Sequence, residues 1–227
     1  MKKKAIIIVA SAFVAVAVAA LVIFVLLGNP KDAVKEISLE GNWKIAAYFS
    51  NGTPTLPAKE YIAFTSTEAT AYKDGAVIAT SPYTFENGTA LNLPNMSRSY
   101  TVERRTDNYI RLYQSPTVYL ELIRYPDNEF GDNTADKTKL PGKWNVVFRN
   151  ADNPAASEVI EFTENELKDY QNGASEPSIA TPYFWSADDC LTAEKMNIEF
   201  RLIQLSESKI FFIETKSGLI WELERAE

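Results

Sequence analysis

The sequence predicts an all-β chain: two tandem antiparallel meander β-barrels, preceded by one N-terminal transmembrane helix. Three observations predict it. Short alternating segments are separated by turn residues. Aromatic side chains are abundant, with 12 Phe, 11 Tyr and 4 Trp, and such side chains favour strands. One stretch occurs twice: Leu39-Glu-Gly41-Asn-Trp43-Lys-Ile45 and, 101 residues later, Leu140-Pro-Gly142-Lys-Trp144-Asn-Val146.

The N-terminal element comes first. Met1-Lys2-Lys3-Lys4 precedes an apolar run of 23 residues, Ala5 to Leu27, softened only by Ser11. A helix of that length spans about 34 Å, enough for a bilayer core of roughly 30 Å. Residues 1–4 are then a cytoplasmic stub, 5–27 the anchor and 28–38 a spacer. The lysines mark the cytoplasmic face, so the C-terminal domains are expected to be extracytoplasmic and the protein a single-pass protein of a cell membrane. Ala15-Val-Ala17 and Ala17-Val-Ala19 fit signal-peptide cleavage. Cleavage there would leave Leu21–Leu27 exposed on the mature chain, so the uncleaved anchor is the expectation.

Without Lys2, Lys3 and Lys4, 20 basic groups face 30 acidic ones. That balance repels nucleic acid and anionic headgroups. Cys190 is the only cysteine, so no internal disulfide staples either half, and each must hold together through its core.

The strands follow in order. The first repeat, residues 39–125, reads as strands near 42–49, 59–65, 68–73, 76–80, 82–86, 90–93, 99–105, 109–114 and 117–124. Residues 126–139 form an acidic linker, and the second repeat occupies 140–227. The repeats share more than their openings. Ile62-Ala-Phe64-Thr65 matches Ile160-Glu-Phe162-Thr163, Ser81-Pro82-Tyr83 matches Thr181-Pro182-Tyr183, and Tyr119 to Arg124 matches Ile220 to Arg225. Order-preserving matches of this extent indicate duplication. Asp74-Gly75 and Asn172-Gly173 read as hairpin turns. Alternation assigns the inward faces: Trp43, Ile45, Ala47 and Phe49 in the first strand, and Trp144, Val146 and Phe148 in its counterpart. Phe211, Ile213, Leu219, Trp221 and Leu223 are assigned inward near the C-terminus. Glu121 and Glu222 alternate with these leucines and read as surface residues. Closure into a barrel hides the apolar faces and removes sheet edges.

This pattern resembles the lipocalin-like group of calycin barrels, in its small bacterial form. In that group a Gly-x-Trp motif opens the first strand, and an arginine ending the last strand lies across the tryptophan. Here Gly41 and Trp43 are answered by Arg124, and Gly142 and Trp144 by Arg225. The resemblance covers both repeats. Each repeat is shorter than a secreted animal lipocalin, and the Thr-Asp-Tyr motif is missing. The resemblance implies binding of a small apolar or amphipathic molecule.

The chain contains no histidine, which removes His-based triads and the commonest metal ligand. No enzyme, metal or cofactor is expected. Cys190 aligns with Ala90 and reads as a small packed residue. The candidate ligand-binding residues are inward aromatics: Tyr83, Phe85 and Tyr100 in the first barrel, Tyr183, Trp185 and Phe200 in the second. The larger aromatic surface of the second gives it the better claim, and the acidic composition favours neutral or cationic ligands. If these rings merely fill the barrels, the alternative is a non-enzymatic cell-surface interaction or structural module. The expected partners are thus a small hydrophobic ligand and, through residues 5–27, the membrane.

Overall fold

The computed structural model describes residues 38–104, 106–125, 136–149 and 157–227. The transmembrane segment expected at 5–27, all of its spacer but Ser38, and most of the linker lie outside the described residues. Among the described residues no helix is long and apolar enough to cross a membrane. The chain from Ser38 onward forms one compact unit.

The architecture is all-β, with two antiparallel barrels in tandem. The first repeat supplies β1 (Gly41–Ser50), β2 (Thr53–Thr55), β3 (Glu60–Phe64), β4 (Glu68–Lys73), β5 (Ala76–Pro82), β6 (Thr84–Glu86), β7 (Ala90–Leu93), β8 (Arg98–Arg104), β9 (Tyr109–Ser115) and β10 (Val118–Tyr125). The second supplies β11 (Gly142–Arg149), β12 (Val159–Phe162), β13 (Glu166–Tyr170), β14 (Ile179–Trp185), β15 (Cys190–Ala193), β16 (Ile198–Leu205), β17 (Lys209–Glu214) and β18 (Ile220–Arg225). Neighbours pair in chain order. β1 closes on β10, with Trp43 opposite Arg124, and β11 closes on β18, with Trp144 opposite Arg225. The second barrel is closed; the first is open only between β5 and β6, where the chain itself continues through Tyr83.

The Ser/Thr-Pro-Tyr motif explains how each barrel changes partner at this point. β14 pairs with β13 through Ile179–Pro182 and with β15 through Tyr183–Trp185. Proline at the hand-over leaves no ladder N–H orphaned. The buried hydroxyl before it locks the corner. Ser81 Oγ donates to the Pro82 carbonyl at 2.7 Å and accepts from the Asn95 N–H at 3.0 Å. Thr181 Oγ1 repeats both bonds, at 3.1 Å to Pro182 and 2.8 Å from Lys195.

Two corrections to the alternation follow. The register shifts between Ile45 and Ala47 in β1, and between Val146 and Phe148 in β11. A bulge adds one residue and reverses the facing thereafter. Ala46, Ala47 and Phe49 therefore turn outward, as does Phe148, while Tyr48 turns inward. In β17 the inward residues are Ile210 and Phe212; Phe211 and Ile213 face outward. Lys209-Ile-Phe-Phe-Ile-Glu214 is apolar on both faces, so alternation alone could not choose between them.

The outward apolar residues meet one another. Ala46, Ala47, Phe49, Tyr109 and Ile123 of the first barrel form one buried cluster with Ile203, Phe211, Ile213 and Ile220 of the second. This cluster is separate from the core inside the second barrel, built around Trp144, Leu191, Phe200, Phe212 and Leu223. Polar contacts flank the seam: Lys44 Nζ donates to the Ile203 carbonyl (3.3 Å), Arg201 to the Leu56 carbonyl (3.2 Å), and Asn108 Nδ2 to Glu222 Oε1 (2.8 Å). Glu121 and Glu222 do point away from their barrels, but both are buried and paired rather than solvated.

Candidate functional site: the first-barrel cavity

The closed end of each barrel is built by the repeated motif. Trp43 and Trp144 are buried, and their indole N–H groups donate to the Leu39 and Leu140 carbonyls at 2.7 and 2.9 Å. The Arg124 and Arg225 guanidinium carbons lie 4.3 and 3.8 Å from the indole centroids, within cation–π range. Each guanidinium also donates to three carbonyls: Ser38, Glu40 and Asp107 for Arg124, and Lys139, Pro141 and Glu207 for Arg225. Glycine is required beside it. A Cβ on Gly41 would sit 2.8 Å from Arg124 Nη1, and one on Gly142 only 2.3 Å from Arg225 Nη1.

The other end of the first barrel holds a cavity of about 510 Å³, within the roughly 300–1,000 Å³ common for small-molecule sites. Ile45, Ile62, Leu93 and Leu120 supply an apolar wall. Tyr48, Glu60, Arg98, Tyr100 and Gln114 supply polar groups. The Tyr48 hydroxyl donates to Glu60 Oε2, and Lys73 Nζ lies 2.9 Å from Glu60 Oε1. Burial raises the Glu60 carboxyl, but the bonds from Tyr48 and Lys73 outweigh it and hold the group below the usual range. Burial, reinforced by Glu60, raises the Tyr48 hydroxyl, and burial raises Tyr100 as well. Arg98 opposes the shift at both hydroxyls. Its Nη1 donates to Gln114 Oε1 at 3.3 Å.

Among the described residues the second barrel is packed around its core, and the void bordered by Phe162, Phe200, Phe212 and Trp221 measures about 20 Å³. The larger space thus lies in the barrel with the smaller aromatic surface.

Of the six candidate residues, three expected in each barrel, one in each set borders that barrel's space: Tyr100 in the first and Phe200, at the small void, in the second. Tyr83 and Tyr183 are corner residues instead, their hydroxyls donating to the Thr65 and Thr163 carbonyls at 2.8 Å in both cases. Their rings meet Phe64 and Phe162 edge-on. Phe85 stands opposite Leu91 in the β6–β7 pair. Lys137 Nζ covers the Trp185 ring at 4.4 Å. Phe200 is core, packed edge-on against Trp221. Sequence reasoning missed Tyr48, Glu60 and Arg98. The β1 bulge hid Tyr48, and no pattern marked the other two, which sit at the strand starts of β3 and β8. Among the described residues no group of three or more acidic or cysteine side chains could hold a metal ion. Comparison with known proteins adds no family: no family model matches the chain, and no curated protein matches it.

Proposed function

We propose that this chain is a membrane-anchored, extracytoplasmic pair of lipocalin-like barrels whose first barrel binds a small apolar or amphipathic molecule. The observation that carries the reading is the cavity of about 510 Å³, apolar on one wall and polar on the other. The lipocalin-like assignment is supported by the twice-built Gly-x-Trp and Arg contact at the closed ends. The anchor and its orientation rest on the apolar run at 5–27 behind three lysines. The protein is non-enzymatic in this reading. The filled second barrel favours a structural or interaction role for that half, as a support for the first.

The neutral probe N-phenyl-1-naphthylamine tests the reading. Its emission should rise with the protein, and the thermal midpoint should rise with it, because a ligand selective for the native state stabilises it. Ala71→Phe, which fills the cavity wall, should abolish both effects while leaving the fold intact by circular dichroism. Unchanged emission and an unmoved midpoint with the unaltered protein would transfer the case to the surface interaction module.

A further inference from the structure

Resting on the reading that the first barrel holds a small molecule, we infer that the ligand is an amphiphile with an anionic head, a carboxylate or a phosphate monoester, received at the mouth by Arg98 and Tyr100. The acidic composition of the chain points toward neutral or cationic ligands; the chemistry of the cavity wall points the other way.

The two charged residues on the wall differ in what they have left to offer. Glu60 already accepts from Tyr48 on one oxygen and from Lys73 on the other. Its charge is met at 2.9 Å by an ammonium, and Asp74 in the adjoining turn acts on the same lysine. Arg98 has no carboxylate within ion-pair distance among the described residues. It gives one N–H to a neutral amide oxygen at 3.3 Å. A guanidinium carries five N–H donors in a planar fork, so its bidentate edge is open to an oxyanion. The Tyr100 hydroxyl makes no hydrogen bond among the described residues and supplies a further donor. Arg98 is exposed and lines the same cavity as Tyr48 and Tyr100, and its charge opposes the upward shift at both hydroxyls. The wall therefore presents spare donors and an already compensated carboxylate. A head that accepts is complementary to it, and a quaternary ammonium is not. The tail lies against Ile45, Ile62, Leu93 and Leu120.

The test uses residues 38–227, the compact unit that holds both barrels and all the contacts above. Binding of decanoate, decyl phosphate, decanol and decyltrimethylammonium is measured by calorimetry, each below its aggregation concentration, with inorganic phosphate alongside. Decanoate and decyl phosphate should bind about tenfold or more tightly than decanol, as expected for a charge-assisted pair, with the ammonium weakest. The preference should shrink at high salt, since the mouth is open to solvent. Arg98→Gln should lower the affinity for the anionic compounds to about that for decanol, removing the preference between them. Equal affinity across the four alkyl compounds overturns the inference and leaves the cavity reading standing. Phosphate binding as tightly as decyl phosphate overturns the amphiphile and assigns Arg98 a free anion. If none of the four alkyl compounds binds, the cavity reading itself fails.

Discussion

At the scale of single residues, Arg124 and Arg225 each join three chain segments with one side chain. The guanidinium stacks on an indole and closes three carbonyls, and glycine opposite leaves it room. Gly142→Ala should cost about 1–3 kcal/mol, because it adds strain at φ +129° and displaces Arg225; chemical denaturation reads the loss. Glu121 is a second such point. Fully buried, it accepts from Tyr109 at 2.8 Å and pairs with Arg111 at 2.6 Å. Glu121→Ala leaves the Arg111 charge buried without its partner, and a loss of roughly 3–5 kcal/mol is expected. Lys44 makes the stability depend on pH. Burial, with a smaller contribution from Arg201 and against the pull of Asp189, pushes its ammonium down to about 8. A lysine lowered on folding binds its proton less tightly in the folded state. The cost is therefore fully present below about 8 and fades as pH rises toward the unfolded value of 10.5. Folding stability should climb between pH 8 and 10, and Lys44→Met should flatten that climb. A variant with the same slope as the parent would remove Lys44 as its source.

At the scale of elements, the bulge in β1 shapes the cavity wall. It turns Tyr48 into the cavity and Phe49 toward the neighbouring barrel. The same shift in β11 turns Phe148 out, where it meets Tyr109 with ring centroids 5.3 Å apart. The partner-exchange corner is the other decisive element. Its hydroxyl satisfies one N–H and one carbonyl at a point where the strand ladder changes sides. Thr181→Val keeps the shape and removes both bonds, leaving the Lys195 N–H unpaired. A loss of about 1–3 kcal/mol is expected, seen as a lower urea midpoint with an unchanged slope.

At the scale of the whole molecule, the two barrels share a core. Gly218, in the β17–β18 turn, meets Phe49 so closely that a Cβ there would lie 2.3 Å from the ring. Gly218→Ala should therefore loosen the seam without entering either barrel. Residues 140–227 alone would expose Ile203, Phe211, Ile213 and Ile220. Burial of each such side chain is worth roughly 1.5–3 kcal/mol, and a domain of this size is marginal to begin with. The isolated half should unfold at lower denaturant than residues 38–227 or bind hydrophobic dye. A fragment as stable as the pair would show that the shared cluster contributes nothing.

Much was legible before any coordinates. The duplication, the strand order, the Asp74-Gly75 hairpin turn and the Trp–Arg ends are local or nearly local features, whereas Asn172-Gly173 is not a two-residue turn but part of the longer connection 171–178 between β13 and β14. They follow from residue types whose conformational demands do not depend on distant neighbours: proline without an N–H, glycine beside a guanidinium, alternation on a one-sided strand. The candidate site was less legible, with Tyr100 the one of the three first-barrel candidates that lines the cavity. Tyr83 and Tyr183 read as ligand contacts because sequence marks an aromatic side chain but not the carbonyl its hydroxyl will find. What only the tertiary structure decided is facing. A bulge inserts one residue and reverses a strand without altering its composition, and a strand apolar on both sides has no preferred face until a second body covers one of them. Packing of one barrel against the other made that choice, because it alone determined which apolar surface would leave water and which would line a space.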